Sequence, residues 1–205
     1  MDGAEIHEAV CAMLALDRAG AEVVCLAPNR EQVDVVNHLT GAPQAERRNV
    51  LVESARLARG RIRDVAGVGA ADLDAIVLPG GYGAAKNLST FARDGERAQA
   101  DPEVARLLRE MLRAGKPIAA LCIAPAVLAA ALGREVCPEL TIGTDEGTAR
   151  TLEKMGARHV PTSAVGVVVD RKNKIVTTPC YMLATRISEV ADAAEKAVRA
   201  LLELA

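Results

Sequence analysis

The chain has almost no aromatic side chains: two Tyr, one Phe and no Trp among 205 residues. Three rings cannot build the stacking platform on which single-stranded nucleic acids are held. A dominant charge is missing too, because 25 Lys and Arg face 27 Asp and Glu for a formal net charge of -2. That balance supplies no basic field for a phosphate backbone, and no nucleic-acid partner is expected. No apolar run reaches the roughly 18 residues of a membrane-spanning helix, so no membrane partner is expected either. The opposite extreme, disorder, is excluded because half of the residues are hydrophobic. Without aromatics the core must be built from Ala, Val, Leu and Ile. Such a core suits a parallel sheet covered by helices better than an aromatic-rich sandwich.

Several motifs are absent as well. The five cysteines, Cys11, Cys25, Cys122, Cys137 and Cys180, are odd in number and contain no CxxC pair. No secretory signal pattern opens the sequence, so a disulfide framework is not expected. Mostly buried thiols in a reducing compartment are expected instead, and with them a cytoplasmic location. His7, His38 and His159 form no HExxH pair, and no carboxylate cluster has metal-ligand spacing. Gly67-Val68-Gly69 runs into Ala70-Ala71 and not into a dinucleotide fingerprint, and no GxxxxGK sequence exists. Neither a metal nor a cofactor is expected.

What is present is an alternation of short buried runs with helical periodicity. Ala4 to Arg18 place Ile6, Val10, Met13 and Leu14 on one helical face. Ala21 to Pro28, Asp74 to Gly81 and Pro117 to Leu121 read as buried strands, and Arg61 to Val65 as a further short one. Asn49 to Arg59 is a helix with Asn49 as its N-cap and Gly60 as its stop. Asp101-Pro102 opens another, which runs to Arg113. The stretch Ala92 to Ala100 reads as a loop. Ile123 to Leu132 and Glu146 to Met155 read as helices, and Leu140 to Thr144 as a strand. The segments around Arg171-Lys172-Asn173 form a hairpin candidate, and Met182 to Leu204 is the last helix. There is no internal repeat or linker. The order specifies one doubly wound α/β domain over residues 1–205.

In such a sheet, sites form beyond the carboxyl ends of the strands. One unusual strand end is Leu78-Pro79-Gly80-Gly81-Tyr82-Gly83. Taken alone the glycine pair reads first as a tight turn, but it also frees backbone N–H groups to face a developing negative charge. The other is Leu121-Cys122-Ile123-Ala124-Pro125. A cysteine between a buried strand and a helix reads as an inert buried thiol or, equally, as a nucleophile held in a strained elbow.

The segments DGAEIHEAV, NREQVDVVNHLTG, RNVLVESARLARG, VLPGGYGAAKNLS, LCIAPA, LTIGTD, EKMGARHVP and NKIVTTPCYMLA together resemble the ElbB type of glyoxalase. This family, also called sigma cross-reacting protein 27A, is linked to isoprenoid biosynthesis. It lies in the superfamily of the PfpI-type proteases, the Parkinson-associated deglycase and the class I glutamine amidotransferases. The resemblance spans nearly the whole chain. It implies a flavodoxin-like doubly wound sandwich with a mainly parallel central sheet, and a homodimer. It also implies a glyoxalase that needs no glutathione and converts 2-oxoaldehydes such as glyoxal to hydroxy acids. By the same resemblance Cys122 is the nucleophile and Glu8 the acidic partner. Gly81 and Ile123 supply the backbone oxyanion donors, and Gly80, Tyr82, Tyr181 and His159 fall near the site.

The departures set limits. The proteases carry His directly after the Cys, where this chain has Ile123. The glutaminase His-x-Glu pair is replaced in the region of Thr178-Pro179-Cys180-Tyr181. The stronger glyoxalases place a His where Gly143 stands, so low activity is expected. A redox-sensing or regulatory protein, or an amidotransferase-like partner subunit, are the alternative readings. Relatives open with a buried strand before the DGAEIHEAV segment; this chain begins inside the following turn, so its sheet is expected to lack that strand.

Overall fold

Every residue of Ile118–Leu121 and Ile175–Thr178 is buried, and these two short apolar runs form the centre of the fold. The computed structural model describes all 205 residues. Its strands are β1 (Cys25–Ala27), β2 (Ile62–Asp64), β3 (Ile76–Leu78), β4 (Ile118–Leu121), β5 (Glu139–Leu140), β6 (Arg158–His159), β7 (Val168–Asp170) and β8 (Ile175–Thr178). The larger sheet has the order β3-β4-β8-β7, with β4 parallel to both neighbours and β7 antiparallel to β8. The expected hairpin is therefore present. β1 and β2 form a separate parallel pair, as do β5 and β6.

Helices cover both faces. They are α1 (Ile6–Arg18), α2 (Val50–Leu57), α3 (Tyr82–Lys86), α4 (Phe91–Asp94), α5 (Pro102–Arg113), α6 (Pro125–Val136), α7 (Glu146–Lys154) and α8 (Ile187–Leu202). Ile118 and Ala120 pack with Leu107, Leu108 and Met111 of α5 and with Leu128 and Leu132 of α6. Ala119 and Val176 point the other way, onto Ala197 and Leu201 of α8. Successive strand residues thus serve opposite layers. The caps are as the sequence indicates. The Asn49 side chain accepts from Val52 N–H, and Asp101 accepts from the Glu103 and Val104 N–H groups ahead of a first-turn Pro102.

β1 and β3 do not pair with each other. A cavity of about 1140 Å³ lies between them, lined by Leu26, Val77, Leu78, Met13, Leu16 and Val23 among others. The sheet is interrupted between them.

Four local expectations are corrected. On α1 the buried face is Glu8, Ala9, Ala12 and Ala15, whereas Ile6, Val10 and Leu14 are 58%, 44% and 44% exposed. α1 lies against α8, whose facing residues are Ala193 and Ala194, and small residues on both helices let them approach closely. The strand at Leu140 to Thr144 ends at Leu140, because side chains replace the ladder: Thr177 Oγ1, His159 Nε2 and Thr141 Oγ1 accept from the N–H groups of Thr141, Ile142 and Gly143. Ala92 to Ala100 is not all loop, since it contains most of α4 and a 3-10 turn. The last helix begins at Ile187 and not at Met182, because the Glu189 carboxylate accepts from the Thr185 and Arg186 N–H groups and sets the start there.

Candidate active site

The β4 strand ends at Leu121, and the chain must reverse to enter α6. Cys122 makes that turn with φ +57°, in a left-handed region that L-residues rarely occupy. Its N–H donates to Thr178 O on the adjacent strand at 2.9 Å, which holds the strained residue in place. The thiol is 7% exposed and faces the backbone N–H groups of Gly81 and Ile123.

β3 ends beside it in Pro79-Gly80-Gly81. A Cβ on Gly80 would lie 2.4 Å from Cys122 Cβ and 2.7 Å from Glu8 Oε2, so only glycine fits. Gly81 has φ +89°, and a Cβ there would lie 2.3 Å from Glu5 N. The pair is therefore more than a turn: it lets the β3 end, the start of α1 and Cys122 meet. Glu5 N–H donates to Gly80 O at 3.0 Å, which docks α1 against this turn.

That docking delivers Glu8. Its carboxylate is fully buried and accepts from Gly80 N–H at 3.0 Å and from Tyr181 N–H at 3.2 Å. The Cys122 side chain lies beside it, both meeting the Cα of Gly80. Burial pushes Glu8 up to about 7, with the neighbouring Cys122 thiol and the hydrogen bonds from Tyr181 and Gly80 opposing the rise. Burial first, and then the Glu8 charge, push the Cys122 thiol up to about 12. At neutral pH the proton therefore rests on sulfur, and Glu8 is the adjacent group able to take it.

The other expected residues divide. Tyr181 belongs to the site, since its N–H holds Glu8 and its hydroxyl lies 2.8 Å from His7 Nδ1. Tyr82 opens α3 directly after Gly81 but is mostly exposed, with Lys86 Nζ 5.1 Å from its ring centre. His159 is occupied elsewhere: it sits on β6, and its Nε2 accepts from Ile142 N–H at 3.3 Å. Nor does Gly143 leave room for an imidazole, because a Cβ there would lie 2.7 Å from the Leu183 side chain. Two features carried no local sign in the sequence. Cys180 is buried with φ +44°, and this turn aims the next N–H, that of Tyr181, at Glu8. His7 and Tyr181 meet across 174 positions of sequence.

A cysteine in a left-handed strand-to-helix turn, with a carboxyl from the first helix and glycine N–H groups beside it, defines a nucleophile-elbow protein of the α/β class. The chain belongs to the DJ-1/PfpI family, whose description matches residues 1–180. It is 47% identical to human glutamine amidotransferase-like class 1 domain-containing protein 3, mitochondrial, over 99% of this chain and 78% of that protein. It is 45% identical to the rat ES1 protein homolog, mitochondrial, over 99% of this chain and 79% of that protein. A solved isoprenoid biosynthesis protein with amidotransferase-like domain from Ehrlichia chaffeensis superposes with a TM-score of 0.93 at 38% identity. That match covers 100% of this chain and 93% of the other.

These relatives correct the expectation of a cytoplasmic location, because the human, rat and zebrafish proteins are named as mitochondrial. Unpaired cysteines indicate a reducing compartment, but they do not say which one.

Proposed function

We propose that this protein is a glutathione-independent glyoxalase of the ElbB type acting on small 2-oxoaldehydes. The observation that carries the reading is the fully buried Glu8 carboxyl beside Cys122 and the N–H groups of Gly81 and Ile123. As sulfur attacks the aldehyde carbon, the thiol proton passes to Glu8 and a C–S bond forms. The developing alkoxide is met by the backbone donors and protonated to give a hemithioacetal. Glu8, again a carboxylate, removes the former aldehyde hydrogen as a proton, and an enediolate forms. Return of that proton to the neighbouring carbon leaves a thioester. Water then cleaves it to the hydroxy acid and the free thiol. No redox partner is consumed.

Glutaminase chemistry wants an imidazole at the thiol, and the side chain beside Cys122 is a carboxyl. The test is glycolate formation from glyoxal without glutathione. Cys122→Ser is expected to lose about a thousandfold in turnover or more; a wild-type rate in this variant refutes the mechanism.

A further inference from the structure

We propose that the Tyr181 hydroxyl, oriented by His7, binds the second carbonyl oxygen of a vicinal dicarbonyl whose aldehyde carbon is on Cys122. This rests on the functional reading above and adds a specificity-determining residue to it. A 2-oxoaldehyde carries oxygens on two adjacent carbons. The N–H groups of Gly81 and Ile123 face the sulfur and serve the oxygen on the attacked carbon. The second oxygen needs a separate donor, because negative charge grows there as Glu8 removes the proton.

Several neighbouring polar groups are already engaged. Thr178 Oγ1 donates to Gly166 O at 2.7 Å. Thr141 Oγ1 accepts from Gly143 N–H, and His159 Nε2 from Ile142 N–H. Glu8 is committed to two backbone donors. Tyr181 is different. Its backbone is fixed by Glu8, its ring packs with the group of residues that includes Cys122 and Cys180, and its hydroxyl meets an imidazole on the turn of α1 that carries Glu8.

The pairing is exposed, so it contributes little to folding. It does fix a direction. With its proton on Nδ1, His7 donates to the phenol oxygen and leaves the phenol proton for an outside acceptor. Tyr181 then donates a hydrogen bond to the enediolate oxygen, with no transfer of the proton. Tyr181 is the group that touches substrate, and His7 is a positioning residue.

The experiment measures how well two aldehydes of equal carbon count protect Cys122 from iodoacetamide. Methylglyoxal has the second carbonyl and propanal lacks it, and alkylation is followed by mass spectrometry on the Cys122 peptide alone. The readout is the ratio of their half-protecting concentrations, compared between variants so that intrinsic reactivity cancels. Tyr181→Phe is expected to shrink the preference for methylglyoxal about tenfold, one hydrogen bond's worth, each protection being read against the same variant's alkylation without aldehyde. His7→Ala should shrink it similarly, and His7→Gln, which retains a donor, should restore most of it. An unchanged ratio in Tyr181→Phe overturns the proposal. Because protection needs no turnover, the two readings separate. A reduced ratio in a protein that makes no glycolate sinks only the glyoxalase, and an unchanged ratio in an active enzyme sinks only the role of Tyr181.

Discussion

The β4 and β8 strands carry no exposed residue, whereas β1 and β3 run half-buried along the two walls of a cavity of about 1140 Å³. Both halves are built on short, mainly apolar strands. Hydrophobicity therefore does not separate them; strand partners do. β4 has a neighbour on each side, and β1 and β3 have one each. The site draws on both halves. Cys122 follows β4, in the filled half, and Gly80 and Gly81 follow β3, at the border. Glu8 bridges the two, beside Cys122 on one side and bonded to Gly80 on the other.

The largest expected effect tests that bridge. Glu8→Gln keeps the shape and removes the base, so glyoxal turnover should fall by about 10²–10⁴-fold. In the wild type, turnover should rise as pH passes about 7, where the Glu8 carboxyl ionises. A rate independent of pH from 5 to 8 would show that Glu8 is not the base.

Next comes the contrast in packing. Leu121→Ala in the filled half should cost about 2–5 kcal/mol in urea unfolding. Leu26→Ala, beside the cavity, should cost about 1 kcal/mol, because Leu26 forfeits fewer contacts. Equal losses would remove the distinction between the halves.

A smaller effect concerns stability against pH. Glu8 has its folded value raised from 4.5 to about 7. Its contribution is fully present below about pH 4.5 and is lost as pH rises through about 7, amounting to about 3 kcal/mol at roughly 1.4 kcal/mol per unit. Between pH 5 and 8 the wild type should lose more stability than Glu8→Gln. Parallel curves would mean that burial does not tax the charged carboxyl.

The filled half was the more legible in sequence. Ile118–Leu121 is a plain apolar run between Pro117 and a helix opened by Pro125, and that setting marks Cys122 before any coordinates. Asn49 and Asp101 marked their helix starts for equally local reasons, whereas the Asn49 helix ends at Leu57, before Gly60, with Arg59 taking the left-handed turn. What escaped depends on tertiary contact. The inward face of α1 is its alanine face, because α8 comes too close for Ile6, Val10 or Leu14. Leu140 to Thr144 has strand composition but bonds to side chains. His159 was a candidate through the family resemblance and is spent on a backbone N–H. His7 and Tyr181 look unremarkable in their own segments, and only the docking of α1 under the TTPCY turn joins them.

The walls of the cavity are also complementary to one another. Cys25-Leu26-Ala27 and Ile76-Val77-Leu78 each present one edge with no ladder partner, and neither segment contains a charge or a proline to guard it. Each edge can accept one more strand, so a single extended segment laid between them would join the two sheets and fill the cavity.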